Sequence, residues 1–141
     1  MKNKRITAVR LTALALCLLL SPSFALALGL GTLQVDSRIG EPLNLYIELL
    51  SADSKDLASL SAGLASLEEF SRSGVPYPEQ AGKIRFQVED NRGIRLTSEK
   101  PVDVAYLHIL VAATWAGGKV VREYTALLDP PLYKGRASVA K

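Results

Sequence analysis

The sequence predicts an all-β domain, a two-sheet sandwich of about seven strands with one short helix. Three observations predict it. Apolar and polar residues alternate in runs bounded by turn residues, a double glycine joins the two longest of those runs, and a single stretch carries a helix-start signal.

The folded part is expected to begin after residue 27. Lys2, Lys4, Arg5 and Arg10 precede the apolar run LTALALCLLL, which gives way to Ser21-Pro22-Ser23 and then Ala25-Leu26-Ala27. A basic start, an apolar middle and a small-x-small close describe a secretory leader, residues 1–27, with the mature chain starting at Leu28. The alternative is an uncleaved inner-membrane anchor, because LTALALCLLLSPSFALALGL approaches the length of a membrane span. Ser21, Pro22 and Ser23 interrupt that span and favour cleavage. After it, no stable membrane span is expected.

Removing the leader changes what the composition says. The one cysteine, Cys17, leaves with it, and Leu16 stands where lipidation needs a small residue. The mature chain then has no disulfide and must stand on its core. Of the 17 lysines and arginines, four lie in the leader, leaving 13 against 14 acids, so a formal charge of +3 becomes −1. The basic balance belongs to the leader and supports neither nucleic acid nor an anionic membrane as partner. The mature 114 residues (141 less 27) suit one domain with one core.

The elements follow in order. TLQV places Leu33 and Val35 on one face, and after a Gly40-Glu41-Pro42 turn LNLYIELL does the same with Leu43, Leu45, Ile47 and Leu49. Leu60, Ala62 and Leu64 alternate with Ser61 and Gly63 as a short strand. Ser66-Leu67-Glu68-Glu69-Phe70 carries the hydroxyl-to-carboxylate spacing of a capping box, and Gly74 and Pro76 stop the helix within two turns. Its buried side is expected to be Leu67 and Phe70. IRFQV and GIRL form a hairpin about Asp90-Asn91-Arg92-Gly93, with Ile84, Phe86 and Val88 on one face of the first strand and Ile94 and Leu96 together on the second.

The last hairpin joins residues 105–115 to 119–129. Gly117-Gly118 is read as a two-residue turn accepting positive backbone angles. Ala116 then faces Lys119, and the pairs behind it are Trp115 with Val120, Ala113 with Arg122, Val111 with Tyr124, Ile109 with Ala126 and Leu107 with Leu128. All but Arg122 on that face are apolar or aromatic, so it is the core face. Arg122 lays its stem on apolar surface and its head in water. Pro130-Pro131 ends the pairing. Strand number and spacing together point to the immunoglobulin-like kind of sandwich.

The opposite face carries Leu110, Val121 and Leu127 and is more apolar than an ordinary wet face. Either the short helix or a loop covers it, or it is an exposed strip that docks a partner. These three residues form the candidate interaction surface.

Chemistry is not announced anywhere. His108 is the one histidine, so no multi-histidine metal site can form, and no serine sits in G-x-S-x-G. Glu68-Glu69 and Glu89-Asp90 read as a helix first turn and a turn. Gly29-Leu30-Gly31 precedes a strand and is no nucleotide loop. No catalytic residue, metal or cofactor is expected, and the chain is not read as an enzyme.

Three segments carry a resemblance: LGLGTLQVDSRIGEPLNLYIELL, LASLEEFSRSGVPYP, and TSEKPVDVAYLHILVAATWAGGKVVREYTALLDPP. Together they resemble the N-terminal periplasmic domain of the FimV family over residues 28–131, with W-x-G-G-x-x-x-R-E-Y-T-x-L-L-D-P-P as the most specific motif. The resemblance implies a Gram-negative envelope protein associated with type IV pilus assembly, twitching motility and cell-pole organisation. Such proteins continue through a linker, a peptidoglycan-binding LysM module, a membrane span and a cytoplasmic repeat region. Here only a short tail, 132–141, follows. The resulting expectation is a periplasmic, non-enzymatic protein-interaction domain whose partner is an envelope or pilus-assembly protein. The alternative is a module binding a glycan or peptidoglycan fragment, with Trp115, Tyr106 or Tyr77 stacking on sugars.

Overall fold

The computed structural model describes residues 27–90 and 92–132. The expected leader, save Ala27, and the tail after Leu132 lie outside these residues. Seven strands form two antiparallel sheets. β1 (Gly29–Val35), β2 (Pro42–Leu50), β4 (Ile84–Glu89) and β5 (Gly93–Pro101) make one sheet, in the order β1-β2-β5-β4. β3 (Ser61–Leu64), β6 (Tyr106–Trp115) and β7 (Gly118–Leu127) make the other, in the order β3-β6-β7. That division of seven strands is the constant-type immunoglobulin arrangement. The helix expected after Ser66 is present as Leu67–Ser73, and a six-residue helix precedes it at Ser54–Ser59; in chain order these are α2 and α1. A 3-10 turn, Ala81–Lys83, leads into β4.

Alternation builds the core. Leu43, Leu45, Ile47 and Leu49 of β2 and Ile94 and Leu96 of β5 point inward, each at most 5% exposed. They meet Leu107, Ile109, Val111 and Ala113 of β6 and Tyr124, Ala126 and Leu128 from β7 and just beyond it. No covalent bridge joins the sheets among the described residues, so burial of these side chains holds them together.

β1 shows how a local irregularity serves the pattern. Leu28 and Leu30 are in phase, and so are Leu33 and Val35, but the two pairs are out of phase. The register shifts between Leu30 and Leu33, which lets both pairs reach the core. Gly31 sits in that irregularity, and a Cβ there would lie 3.0 Å from the Glu48 carbonyl oxygen. The carbonyls turned aside are taken up by β7: Tyr124 Oη donates to Gly31 O at 2.7 Å, and Arg122 donates to Leu30 O. Burial pushes the Tyr124 phenol up, keeping it the neutral donor that this bond needs. The Arg122 head is therefore held on β1 and over the Tyr124 ring, 5.4 Å from its centroid, rather than simply released to water.

The β6–β7 hairpin keeps the expected faces in a different register. Trp115 pairs with Gly118, Ala113 with Val120, Val111 with Arg122, Ile109 with Tyr124 and Leu107 with Ala126. The two turn residues are thus Ala116 and Gly117, and each pair is displaced by two positions from the one expected. A slip of two preserves the period of the strand, so every inward side chain stays inward. The reason for the glycines also differs. Positive φ belongs to Gly40 and Gly74, and to Ser51 and Arg92, but to neither glycine of this turn. A Cβ on Gly117 would lie 2.8 Å from Trp115 Nε1, and one on Gly118 3.5 Å from Trp115 Cζ2. Gly117 leaves room for the indole, whereas a side chain at 118 would meet it at ordinary contact distance.

At α2 the capping box is complete. Ser66 Oγ accepts from Glu69 N at 3.2 Å, Glu69 Oε2 accepts from Ser66 N at 2.8 Å, and Gly74 closes the helix at φ 75°. Phe70 is 2% exposed, but Leu67 is 65% exposed and does not share the buried side. The first turn points Leu67 outward because Phe70 alone faces β6. Glu69 Oε1 also takes the Lys119 ammonium at 2.7 Å. That bond first, then the Ser66 N–H, lowers the Glu69 carboxyl from 4.5 to about 2. A depressed carboxyl contributes stability above its unfolded value that is lost as pH falls from there through the folded value. The cap is therefore expected to hold at neutral pH and to fail between 4.5 and about 2. Titration of the Glu69 carboxyl by NMR checks it, and Lys119→Met should move the midpoint back up.

Candidate interaction surface

The two outer faces of the sandwich differ. On the four-stranded sheet, Tyr46 lies across Gly93, where a Cβ would meet the ring at 2.1 Å, and Arg95 stacks on Tyr46 at 4.9 Å. Arg95 also reaches Glu89 at 3.0 Å and Asp36 at 3.1 Å, so charge pairs cover this face.

On the three-stranded sheet the outward residues of β6 are Tyr106, His108, Leu110, Ala112 and Thr114. Those of β7 are Lys119, Val121, Glu123, Thr125 and Leu127. The connection after β3 crosses the middle of this face. Ala65, Phe70 and Val75 close over Leu110 to form a second, smaller core, with Leu64 and Ala112 packed at its edge. Leu110 is 4% exposed, so it is internal packing and not part of an exposed strip. A ring of Phe70's size placed by α2 removes it from water.

The other two candidates stay outside. Val121 is 36% and Leu127 70% exposed, and they are not neighbours. Six positions of strand separate them, about 20 Å. Between them Glu123 Oε1 lies 2.5 Å from His108 Nε2, a polar break in the face. Val121 stands beside Ala112 near the hairpin tip, and Leu127 pairs with Tyr106 at the far end.

Around Tyr106 the surface becomes concave. A groove of about 430 Å³ runs between Pro76–Gln80 and Val104–His108. Tyr106 is 63% exposed on one wall and Tyr77 47% on the other. Phe70 packs edge-on against Tyr77 with ring centroids 5.0 Å apart, which fixes one side of the tyrosine and leaves the rest free. Pro76 and Pro78 stiffen the same wall. Of the three aromatic residues considered as sugar platforms, Tyr77 and Tyr106 meet here. Trp115 is at the opposite end of β6, partly buried against the core and folded over its glycines. The groove itself was hidden in the sequence, since its walls lie about thirty positions apart; the Pro-Tyr-Pro triplet was the available signal.

The ionisable residues of the groove are Glu79 and His108, together with the two tyrosines, and His108 is already engaged by Glu123. Among the described residues, no group of three His, Cys, Asp or Glu side chains comes together in a way that could hold a metal ion. None of the described helices is long and apolar enough to cross a membrane.

Comparison with known proteins adds three findings. Residues 28–131 match the family model of the FimV N-terminal domain, an Ig-like domain. The chain is 39% identical over 132 positions to the motility hub protein FimV of Pseudomonas aeruginosa, in each of two strains, covering 91% of this chain and 14% of the relative. It thus spans only a small part of the relatives' length. Among solved structures, the BIgI domain of the beta protein from S. agalactiae bound to CEACAM1 superposes with a TM-score of 0.42 at 16% identity, covering 74% of this chain and 99% of that one.

Proposed function

The chain belongs to the FimV N-terminal domain family, and from that premise we propose that it is a non-enzymatic, periplasmic protein-interaction domain serving type IV pilus assembly and cell-envelope organisation. The observation that carries the reading is the paired Tyr106 and Leu127, an exposed apolar shelf at one end of the outer face of the three-stranded sheet. Contiguous apolar surface beside a groove is the kind of surface that docks a partner. Export through the leader supports the periplasmic address. Leu28, the first residue after the expected cut, is 3% exposed, so cleavage after Ala27 keeps the core whole.

The test is a photo-crosslinking residue placed at Leu127, with Val121 as the second site. Crosslinks from position 127 to an envelope or pilus-assembly protein are expected, together with loss of piliation in Leu127→Lys at unchanged protein level. Normal piliation of that variant, with no crosslink from either site, defeats the reading.

A second reading rests on a specific observation: Tyr77 and Tyr106 line one groove. Two tyrosine faces with Glu79 and Gln80 beside them suit a glycan or peptidoglycan fragment, whose C–H faces stack and whose hydroxyls need polar partners.

A further inference from the structure

We propose that the Tyr77–Tyr106 groove receives an extended, proline-containing segment of a partner protein, with a lysine or arginine of that segment paired to Glu79. The proposal rests on the protein-interaction reading above and names the kind of partner.

The backbone offers little to the commonest alternative for an extended peptide, strand addition. Beside the groove β6 is paired with β7, whereas β3 covers its other side only from Val111 to Thr114. Just before it, Ala105 O already accepts from Leu128 N at 2.9 Å. The opposite wall contains Pro76 and Pro78, which have no N–H to donate. On the β3 side only the short stretch from Tyr106 to Ile109 is left outside the pairing, and the wall that faces it carries two prolines, so an added strand would find few partners here. What the groove presents is ring surface. A polyproline-type segment makes no internal hydrogen bonds and exposes ridges of apolar ring to aromatic walls, so its needs and those of the groove agree.

Rigidity favours the same class. Phe70 and the two prolines hold Tyr77, and cross-strand pairing with Leu127 holds the backbone of Tyr106. A stiff ligand meeting stiff walls loses little freedom on binding. The volume, about 430 Å³, accommodates a few side chains rather than a folded surface. Leu127 continues the apolar wall past Tyr106.

Charge selects the sign of the partner. Glu79 lines the groove, Glu123 backs His108 at its edge, and neither lysine nor arginine is among the lining residues. Lys83 belongs to the adjoining hollow, which Asp103 shares. An acidic rim attracts a basic segment and repels an anionic one.

The test uses the exported chain with defined probes: a synthetic peptide of repeating Arg-Pro-Leu-Pro units, its counterpart with glutamate in place of arginine, and a soluble N-acetylglucosamine tetramer. Amide shifts are followed by NMR. The arginine peptide is expected to move the signals of Tyr77, Glu79, Tyr106 and His108 and to leave β4 and β5 unmoved. Glu79→Arg and Tyr106→Ser should each weaken it about tenfold, with the melting temperature unchanged because both side chains are exposed. Equal binding of the glutamate peptide, shifts centred elsewhere, or no shift at about 1 mM peptide overturns the proposal. Selective movement of the groove signals by the sugar tetramer overturns it in favour of a glycan site. A crosslink from Leu127 to a pilus protein that survives Glu79→Arg overturns the groove assignment and leaves the interaction reading intact.

Discussion

Ile109→Ala is expected to destabilise the domain by about 2–5 kcal/mol, the range for removing a fully enclosed branched side chain. Ile109 is 0% exposed and lies between the two sheets, opposite Tyr124 in its own hairpin. The cavity would open beneath Tyr124, whose hydroxyl ties β7 to β1, so relaxation into it is resisted from both sheets. The matched control is Thr125→Ala on the outward face, expected within about 1 kcal/mol of the parent. Urea denaturation of both variants measures the difference. Equal costs would mean that the faces of β6 and β7 are assigned the wrong way round.

Phe70→Ala is expected to cost about 3–5 kcal/mol and to do something the first substitution does not. Phe70 is the lid of the small core around Leu110, and it supports Tyr77 from below. Removing it should uncover Leu110 and slacken the groove together, read as increased binding of a hydrophobic dye and weaker binding of any groove ligand. Leu67→Ala, three residues earlier on the same helix, should change stability by no more than about 0.5 kcal/mol, since Leu67 is 65% exposed. If the two substitutions cost the same, α2 is rotated relative to this description.

The contrast between Leu67 and Phe70 shows where reading the residues reaches its limit. Alternation in LNLYIELL, IRFQV and the last two strands identifies the inward side chains because period two has only two answers, and burial of one face decides between them. That logic held for the hairpin even though its pairing is displaced by two positions, because such a slip is invisible to face assignment. The capping box was equally legible: Ser66 and Glu69 meet within one turn, so local sequence determines the geometry. A two-turn helix has too few residues to define its buried side, and what lies beneath it is supplied by β6, far along the chain. α1 escaped for a related reason. Its N-cap is Asp53, bonded to Asp56 N, and it contains no buried residue to mark a period. Of the three candidate residues, exposure was legible at two. Leu127 and Val121 are exposed as a docking strip requires, but Leu110 is covered, and the groove depends on a meeting of two distant segments that no local pattern announces.

The crossing of β1 onto β7 has a mechanical consequence. Leu30, Gly31 and Arg38 of the first segment meet Arg122, Tyr124 and Asp129 of the last in rising order along both, and the Arg38–Asp129 bridge is parallel. Tension applied between residues 28 and 132 therefore draws the two segments past each other lengthwise. The Tyr124 and Arg122 bonds and the one from Ile39 N to Asp129 O would have to rupture together and could not peel one at a time. A domain pulled by its two ends resists as a shear joint, with its strongest direction along the chain's own line of attachment.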